Sequence, residues 1–372
     1  MNYNPQYVDY TKEKYMWKKI QYTNSQIDKA AEAIFDPNLS TEEKAKCFAM
    51  IDDWRAAHAF PMNTFAINLK QKASNNMGII VVQRLKRLDT IINKLQRFPK
   101  MKLSRMQDLG GCRVIVPKIS DVYSMREKLV KSRIRHKLHN EKDYIKDPNL
   151  NTGYRGVHLV YKYKSDRNDS YNGLLIEIQI RTKLQHLWAT AVETVGTFTQ
   201  NGLKFNQGSQ EWLRFFKLCS ALFSVTENTT FPLPIEEKET FLNELLDLIA
   251  HLGVVDKLNT IAVATKTYDD WGRNNSKFDK SGYFLLVLDT EKNILNINHY
   301  PNGEKSINRA IEEYMKIESS KSANQDAVLV SAKSIADLKK AYPNYFADIR
   351  LFLSTLFKEI RKQAGLTRGE FS

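Results

Sequence analysis

The segment Leu175–Arg181, which reads Leu-Ile-Glu-Ile-Gln-Ile-Arg, alternates strictly between apolar and polar residues. Successive side chains of a β-strand point to opposite faces of the sheet, so this alternation predicts a strand with one buried face. The isoleucines would pack into the core, while Glu177, Gln179 and Arg181 would share the other face. Because any amphipathic strand has this pattern, the polar row becomes a candidate site only if other polar groups join it.

A second carboxylate, Asp108, precedes the short β-branched segment Cys112–Val116, which is predicted to be a strand. Gly110 and Gly111 stand between them and would permit close approach of a ligand or of another backbone. If Asp108 and Glu177 are neighbours in the sheet, the two carboxylates form the kind of site that holds Mg²⁺ beside substrate phosphates. The alternative is an aspartate in the turn before a strand, which is a common arrangement.

Two further polar features extend the candidate site. His186 and Glu193 lie seven residues apart on the predicted helix Thr182–Val195, so they share one face of that helix. The stretch 84–105 contains eight basic residues and one acid, Asp89. This imbalance favours binding of phosphates or of an RNA backbone over a solvated helix face, which usually mixes charges of both signs. The basic residues are Arg84, Lys86, Arg87, Lys94, Arg97, Lys100, Lys102 and Arg105.

A loop rich in proline and asparagine ends in Gly153-Tyr154, at the start of the predicted strand Tyr154–Tyr163. An aromatic side chain in this position could serve as a stacking platform for a nucleic-acid base. His158 follows four residues later. Taken singly, a tyrosine here would more often pack against the protein, so the stacking role depends on the rest of the site.

The order of predicted elements indicates an α+β fold, with a mixed β-sheet flanked by helices. Residues 1–98 are predicted to be mostly helical, with one long helix over 64–96. A predicted hairpin, Tyr283–Leu288 and Ile294–His299, opens a small α+β unit, and an amphipathic helix over Phe346–Lys362 must dock on another surface. We predict N-terminal helices over 1–74, the domain that carries the site over 75–259, the small α+β domain over 260–334, and a helical tail over 335–372.

The charge balance and the cysteine content narrow the class of protein. The chain of 372 residues has a formal net charge of +14, which favours polyanionic partners. Its three cysteines, Cys47, Cys112 and Cys219, have neither the spacing of a zinc site nor that of a disulfide framework. The N-terminus does not resemble a signal peptide, and no apolar run could span a bilayer. We therefore expect a cytoplasmic protein without a membrane partner and without zinc.

Four segments, in this order, resemble the motifs of the RelA/SpoT synthetase domain over about residues 75–200. They are Arg84-Leu-Lys86, Asp108 to Arg113, Lys142-Asp-Tyr followed by Gly153-Tyr-Arg-Gly-Val-His158, and Glu177-Ile-Gln-Ile-Arg-Thr182. The resemblance implies an enzyme that moves the β,γ-pyrophosphate of ATP, with Mg²⁺, to the 3′-hydroxyl of a nucleotide.

The resemblance also implies roles for individual residues. Asp108 and Glu177 would be the catalytic carboxylates and the Mg²⁺ ligands, and Glu177 would also activate the attacking hydroxyl. The implied ATP-binding residues are Arg84, Lys86 and Arg113, and the implied acceptor-binding residues are Tyr154, His158, Gln179 and Arg181. For an RNA acceptor, the expected contacts are Lys94, Arg97, Lys100 and Lys102.

One departure from the motifs concerns the acceptor. Enzymes of this kind that make alarmones usually carry Pro-Lys-x-Asn-Gly-Tyr, whereas the present loop, Pro148–Tyr154, is longer and lacks the lysine. This loop fits better the toxic small synthetases that pyrophosphorylate the terminal CCA adenosine of tRNA. The alternatives are an alarmone synthetase that uses GDP, GTP or AMP, and a catalytically inactive RNA-binding module.

The C-terminal third is similar to that of CapRel proteins, fused toxin–antitoxins of phage defence. This similarity implies a pseudo-zinc-finger domain over 260–334 that holds Tyr342 and Tyr345 over the ATP site. By the same analogy, a phage capsid protein would be the partner that releases the enzyme. Without the analogy, Tyr342-Pro-Asn-Tyr345 would be interpreted as a turn that packs before a helix.

Overall fold

The computed structural model describes residues 17–74, 78–201, 209–258, 282–289, 294–320, 325–332 and 349–365. Its strands are β1 (Ile80–Leu85), β2 (Gly110–Val116), β3 (Lys137–Asp143), β4 (Val157–Lys162), β5 (Leu175–Thr182), β6 (Gly282–Asp289), β7 (Ile294–Pro301) and β8 (Gln325–Ala332). Its α-helices are α1 (Asn24–Ala33), α2 (Thr41–Ala57), α3 (Ala59–Ala73), α4 (Leu88–Arg97), α5 (Ile119–Val130), α6 (Lys183–Asn201), α7 (Ser209–Glu227), α8 (Phe241–His251), α9 (Glu304–Ser320) and α10 (Arg350–Gln363).

The described strands form one mixed sheet with the order β3-β4-β5-β2-β1-β8-β6-β7. β2 and β5 run parallel, and every other described pair of neighbours is antiparallel. The predicted α+β fold with a mixed sheet flanked by helices is therefore confirmed. None of the helices in the described part of the chain is long and apolar enough to cross a membrane.

The single long helix predicted over 64–96 is wrong. α3 ends at Ala73, β1 follows, and α4 begins only at Leu88. The run Ile79–Val82 is β-branched throughout, and such side chains favour the pleated sheet over the helix. Gly78, at φ +93°, lies in a backbone conformation that ordinary side chains rarely adopt, just before the strand begins.

The strand β3 was not predicted from the sequence. This strand lies at one edge of the sheet, pairs with β4, and consists of polar and charged residues apart from Leu138. Edge strands often carry charged side chains that discourage pairing with another chain. Such a strand has no alternating apolar pattern, so the rule that identified β5 could not find it.

The C-terminal strands join the same sheet through the pairing of β8 with β1, where Gln83 faces Ser331 and Arg84 faces Val330. The predicted hairpin is confirmed as β6 and β7. A shared apolar cluster continues across this junction and contains Val82, Ile115, Phe284, Leu286, Val328, Val330 and Ala332. Residues on both sides of the predicted boundary near 260 thus build one sheet, while the division into domains stays a prediction.

The amphipathic tail helix, α10, packs against α6 and α7. Phe352 is fully buried between Phe216 and Phe223, and Thr226 on α7 donates a hydrogen bond of 3.0 Å to Glu359. The docking that its apolar stripe required is therefore observed for the described part of the tail. Tyr342 and Tyr345, in the predicted tail, lie outside the described residues.

Candidate active site

The alternating strand has the two faces that its sequence predicts. Ile176, Ile178 and Ile180 are fully buried, while Glu177 and Gln179 on the other face are half-buried. The polar face is therefore partly shielded from bulk solvent, which distinguishes it from an ordinary solvated strand face.

The sheet register brings polar residues of four strands together. Across β1, β2 and β5, Arg84 faces Gly111 and Gly111 faces Glu177. One pair further along, Arg113 on β2 and His158 on β4 both face Gln179 on β5. Because residues in register point to the same face, these side chains share one surface. Gly111 has no side chain, so it fills none of the space between Arg84 and Glu177.

The neighbouring glycine has a packing role. A Cβ atom placed on Gly110 would lie 3.0 Å from Cβ of His58 and 3.2 Å from Cδ1 of Ile176. Gly110 is therefore the point at which the start of α3 approaches the sheet closely. The glycine pair was predicted to permit close approach of a ligand or of another backbone. At Gly110 the segment that approaches is the start of α3, whereas Gly111 leaves room on the polar face.

Five side chains on this face form a closed ring of hydrogen bonds. Glu177 contacts Nδ1 of His158 at 2.8 Å and Nε2 of Gln179 at 2.7 Å. Arg181 contacts the hydroxyl of Tyr154 at 3.0 Å and Oε1 of Gln179 at 2.9 Å. A short hydrogen bond between the Tyr154 hydroxyl and Nε2 of His158 closes the ring.

With Glu177 ionised and His158 neutral, one arrangement of protons satisfies every contact of the ring. Arg181 donates to Tyr154, Tyr154 donates to His158, and His158 donates to Glu177 through Nδ1–H. On the other arm, Arg181 donates to Gln179, which donates to Glu177. The positive guanidinium is thus joined to the negative carboxylate by two hydrogen-bonded chains that fix the orientation of Glu177.

The pKa of Glu177 reflects these contacts. Burial raises this pKa, but the contacts of Glu177 with His158 and Gln179 outweigh burial, so the net shift is downward. The negative charge of Asp108 acts in the opposite direction. The two carboxylates are therefore close enough to interact electrostatically, and the pKa values of both lie below their ordinary values, so both are ionised at neutral pH.

Asp108 lies between two lysines. Nζ of Lys86 is 2.7 Å from Oδ2 of Asp108, and Nζ of Lys94 is 3.2 Å from Oδ1. Burial raises the pKa of Asp108, and the two ammonium groups lower it further than burial raises it. Lys94 was predicted to contact RNA, and the structure instead brings it to the Asp108 carboxylate.

Glu193 on α6 faces the same cluster of arginines. Its side chain is exposed, and although surrounding protein raises its pKa, the positive charges of Arg113, Arg84, Arg181 and Arg87 produce a net downward shift. His186, on the same helix, is buried. Of the two residues of this helix that were predicted to extend the site, Glu193 therefore interacts with the arginines of the polar face.

Tyr154 is enclosed on several sides. The guanidinium of Arg181 lies 5.0 Å from the centre of its ring, and the rings of Tyr144 and Trp188 lie at 5.4 Å and 6.3 Å. Within the described residues, Nη1 of Arg181 is buried and has no hydrogen-bond partner. That N–H group can therefore contribute to binding of a polar ligand beside the Tyr154 ring.

The remaining predicted RNA contacts lie at the end of α4 and just beyond it. Arg97 and Lys100 are exposed, and between them Phe98 is 53% exposed. Lys102 forms an ion pair with Glu32 of α1. Arg97, Phe98 and Lys100 together form an exposed basic patch with an aromatic residue at its centre.

The mixed donor set of the polar face is compatible with Mg²⁺. Among the residues that the structure describes, no group of three or more His, Cys, Asp or Glu side chains is arranged to hold a metal ion. Mg²⁺ bound beside phosphates commonly uses one or two protein carboxylates and keeps water or phosphate oxygens as its other ligands. Asp108 and Glu177, both ionised and mutually repulsive, fit that requirement.

A buried ion pair that the sequence analysis missed holds the Tyr154 loop. Arg155 is 2% exposed and donates to Glu227 at the end of α7 at 2.8 Å, to Thr229 at 3.0 Å and to Ser220 at 3.2 Å. Ser220 in turn donates to the carbonyl of Gly153 at 2.5 Å. A charged residue beside Tyr154 was visible in the sequence, but its partner lies 72 residues away and no local pattern indicates it.

The comparisons with known proteins identify this region. Residues 83–200 match the family model described as "Region found in RelA / SpoT proteins". The matched region carries Arg84, Asp108, Tyr154 and Glu177. The resemblance that the four motifs indicated is confirmed at this level.

Two curated relatives are similar to part of this chain. The chain is 32% identical over 112 residues to GTP pyrophosphokinase YjbM of Bacillus subtilis (strain 168), covering 30% of this chain and 52% of the relative. GTP pyrophosphokinase YwaC of the same organism is also 32% identical over 112 residues, covering 29% and 52%. The chain thus spans about half the length of the curated relatives it matches.

Among solved structures, the product-bound small alarmone synthetase 1 of Bacillus subtilis has a TM-score of 0.38 and 23% identity, covering 45% of this chain and 87% of that chain. Small alarmone synthetase 2 of the same organism has a TM-score of 0.40 and 24% identity, covering 47% and 95%.

The Arg155–Glu227 pair yields a prediction about stability. Arg155→Ala should lower the free energy of unfolding by about 3–5 kcal/mol, because it leaves the Glu227 carboxylate buried without its cation. Urea unfolding followed by circular dichroism measures the change. Arg167→Ala, at an exposed arginine, is the matched control and should cost under about 0.5 kcal/mol. If Arg155→Ala lowers the free energy of unfolding by less than about 1 kcal/mol, the Arg155–Glu227 ion pair does not stabilise the fold as predicted.

Proposed function

We propose that this chain is an ATP-dependent pyrophosphokinase that moves the β,γ-pyrophosphate of ATP to a 3′-hydroxyl. The observation that supports this best is the shared polar face on which Glu177 stands in register with Arg84, across Gly111 and within electrostatic reach of Asp108. Two carboxylates and several cations on one face of the sheet provide what phosphoryl chemistry requires, namely positioning and charge stabilisation.

Arg84, Lys86 and Arg113 are the proposed contacts of the ATP phosphates, because they supply positive charge on this face. Asp108 and Glu177 would hold Mg²⁺, which when bound neutralises charge on the phosphate oxygens. Lys86 is bound to Asp108 in this structure, so its ammonium group already lies beside the proposed phosphate position.

Glu177 is the proposed general base. It takes the proton of the acceptor 3′-hydroxyl while that oxygen forms a bond to the β-phosphorus of ATP. The bond between the β-phosphorus and the oxygen bridging it to the α-phosphorus breaks, and AMP leaves. The hydrogen bonds from His158 and Gln179 orient the carboxylate for this proton transfer.

The proposed acceptor is the terminal adenosine of the CCA end of tRNA. Tyr154 and the buried Nη1 group of Arg181 would contact this nucleoside, together with His158 and Gln179. The exposed patch of Arg97, Phe98 and Lys100 suits an RNA backbone, which attracts cations and stacks on aromatic rings. The absence of a lysine from Pro148–Tyr154 also argues for an acceptor other than a free nucleoside polyphosphate.

A second candidate is the same transfer to GDP or GTP, giving an alarmone. It is favoured by the names of the curated relatives, which are both called GTP pyrophosphokinases. The two candidates share every catalytic residue and differ only in the acceptor, so the reaction product distinguishes them.

We also propose that Tyr342 and Tyr345 restrain the enzyme and that a phage protein, such as a capsid protein, relieves the restraint. This would make the chain a toxin that blocks translation during infection and is silent before it. The proposal rests on the resemblance of the C-terminal third to CapRel proteins.

The transfer itself is testable with ATP labelled in the γ-phosphate. Incubation of the purified chain with labelled ATP, Mg²⁺ and tRNA should label the tRNA, and Glu177→Gln should reduce the rate at least about 100-fold through loss of the base. Glu236→Gln, at an exposed glutamate, is the matched control. Label on GDP or GTP but not on tRNA would favour the alarmone synthetase, and no transfer to any acceptor would favour an inactive RNA-binding module.

The hydrogen-bonded ring gives a second kinetic prediction. Tyr154→Phe keeps an aromatic ring for the base but interrupts the chain from Arg181 to His158, so kcat should fall about tenfold while the acceptor KM stays within about twofold. Tyr144→Phe is the control, because the aromatic side chain of Tyr144 packs against Tyr154 but takes no part in the hydrogen-bonded ring. A rise in KM with an unchanged kcat would show that the hydroxyl serves binding and not the orientation of Glu177.

The proposed restraint is testable in cells. Tyr345→Ala should make expression of the chain toxic without any phage protein, because the active site is no longer restrained. The double variant Tyr345→Ala, Glu177→Gln should be harmless, which links the toxicity to catalysis. Harmless expression of a Tyr345→Ala protein that is active in vitro would refute the restraint.

A further inference from the structure

Helix α4 cannot cap its own N-terminus. Its N-cap residue is Arg87, whose side chain makes no capping hydrogen bond, although the first N–H groups of a helix have no partner within the helix. Good caps are Ser, Thr, Asp or Asn, which accept hydrogen bonds, whereas arginine only donates. A helix of ten residues is also too short to be stable alone. α4 therefore depends on contacts from elsewhere in the chain.

The missing acceptor comes from α9, far away in the sequence. The backbone N–H of Leu88 donates to Oε1 of Glu318 at 3.2 Å, and Glu318 is only 5% exposed. A carboxylate at this position also interacts favourably with the positive end of the helix dipole. Glu318 thus replaces a local cap with one that is supplied by the C-terminal part of the chain.

A second contact from α9 supports the residues just before α4. The guanidinium of Arg55, which is 1% exposed and bound to Asp52, donates to the carbonyl of Lys86 at 3.4 Å. It lies 4.9 Å from the centre of the ring of Tyr314, which is one helical turn from Glu318 on α9. Two residues of α9 therefore support the short connection from Lys86 to the first residue of α4. Glu318 contacts it directly, and Tyr314 supports it through Arg55.

This connection and α4 each carry one cation of the candidate site. Lys86 stands at the start of the connection, Lys94 lies within α4, and the ammonium groups of both contact the Asp108 carboxylate. The strand before it is also fixed by the C-terminal part, since Arg84 on β1 is paired with Val330 on β8. A shift of the start of α4 would move both lysines relative to Asp108.

We propose that Glu318 is a positioning residue, which holds Lys86 and Lys94 in place for the phosphates of ATP by capping α4. This inference rests on the proposed function, because it takes Lys86 as an ATP-binding group, and it adds Lys94, which shares the Asp108 carboxylate with Lys86. In this proposal α9 helps to form the ATP site, and this role is separate from any restraint by Tyr342 and Tyr345.

The test compares Glu318→Ala, Glu318→Gln and the control Glu312→Ala, an exposed position on the same helix, in the full chain. Hydrogen–deuterium exchange over residues 86–97 without nucleotide reports the cap, and binding of the non-transferable α,β-methylene analogue of ATP with Mg²⁺ reports the lysines. Glu318→Ala should speed exchange about fivefold to tenfold and weaken analogue binding by a similar factor, with tRNA affinity changed less than about twofold. Glu318→Gln, whose amide oxygen still accepts from Leu88, should be intermediate, and Glu312→Ala unchanged.

Unchanged exchange and analogue binding in Glu318→Ala would overturn the inference, as would equal losses of analogue and tRNA binding, which indicate general destabilisation. If Glu318→Ala does not fold, Glu318→Gln decides by the same criteria. If the variants change exchange and analogue binding as expected but the chain transfers no pyrophosphate, the proposed function is contradicted and the inference is supported. Normal transfer with no effect of either Glu318 variant would contradict the inference alone.

Discussion

The parallel pairing of β2 with β5 is the constraint on which the rest of the site depends. It places Gly111 beside Glu177 and Arg113 beside Gln179, and it brings the turn that carries Asp108 to the end of the sheet where Glu177 lies. Parallel neighbours require a crossover, and here the chain crosses through α5, β3 and β4 before it returns as β5. β4 then pairs on the other side of β5 and contributes His158. Residues 69 positions apart, Asp108 and Glu177, therefore become neighbours through backbone register.

Charge compensation determines the state in which this site exists. Ionised carboxylates in a partly buried place require nearby cations or donors, since an uncompensated buried charge is costly. Asp108 meets this need with Lys86 and Lys94, and Glu177 meets it with His158, Gln179 and, through them, Arg181. The two carboxylates therefore differ in kind. The partners of Asp108 are flexible ammonium groups that can turn to phosphate, whereas the partners of Glu177 are locked in a ring and keep its orientation constant.

The sequence predicted those parts of the molecule that follow a local rule. The strict alternation of β5 and the apolar stripe of α10 each have a period that one chain segment contains by itself. β3 and β1 were not predicted, because the charged edge strand has no alternation and the β-branched run lies within the stretch that was predicted to be one long helix. The Arg155–Glu227 pair and the Glu318 cap could not be predicted for another reason, since each joins residues that are distant in sequence and that meet only when the whole sheet has formed.

The junction between β1 and β8 bears on how the C-terminal part can act on the site. A segment that merely covered an active site could be removed without damage to the residues beneath it. Here the apolar cluster of Val82, Ile115 and Phe284 runs through the junction, and Tyr283 accepts a hydrogen bond from Gln83 and donates one to Asn63. The strand that carries Arg84 is therefore bounded on one side by β2 and on the other by β8. A change in the position of β8 would reach Arg84 through this backbone pairing, so the proposed ATP site and its proposed restraint would depend on the same interface.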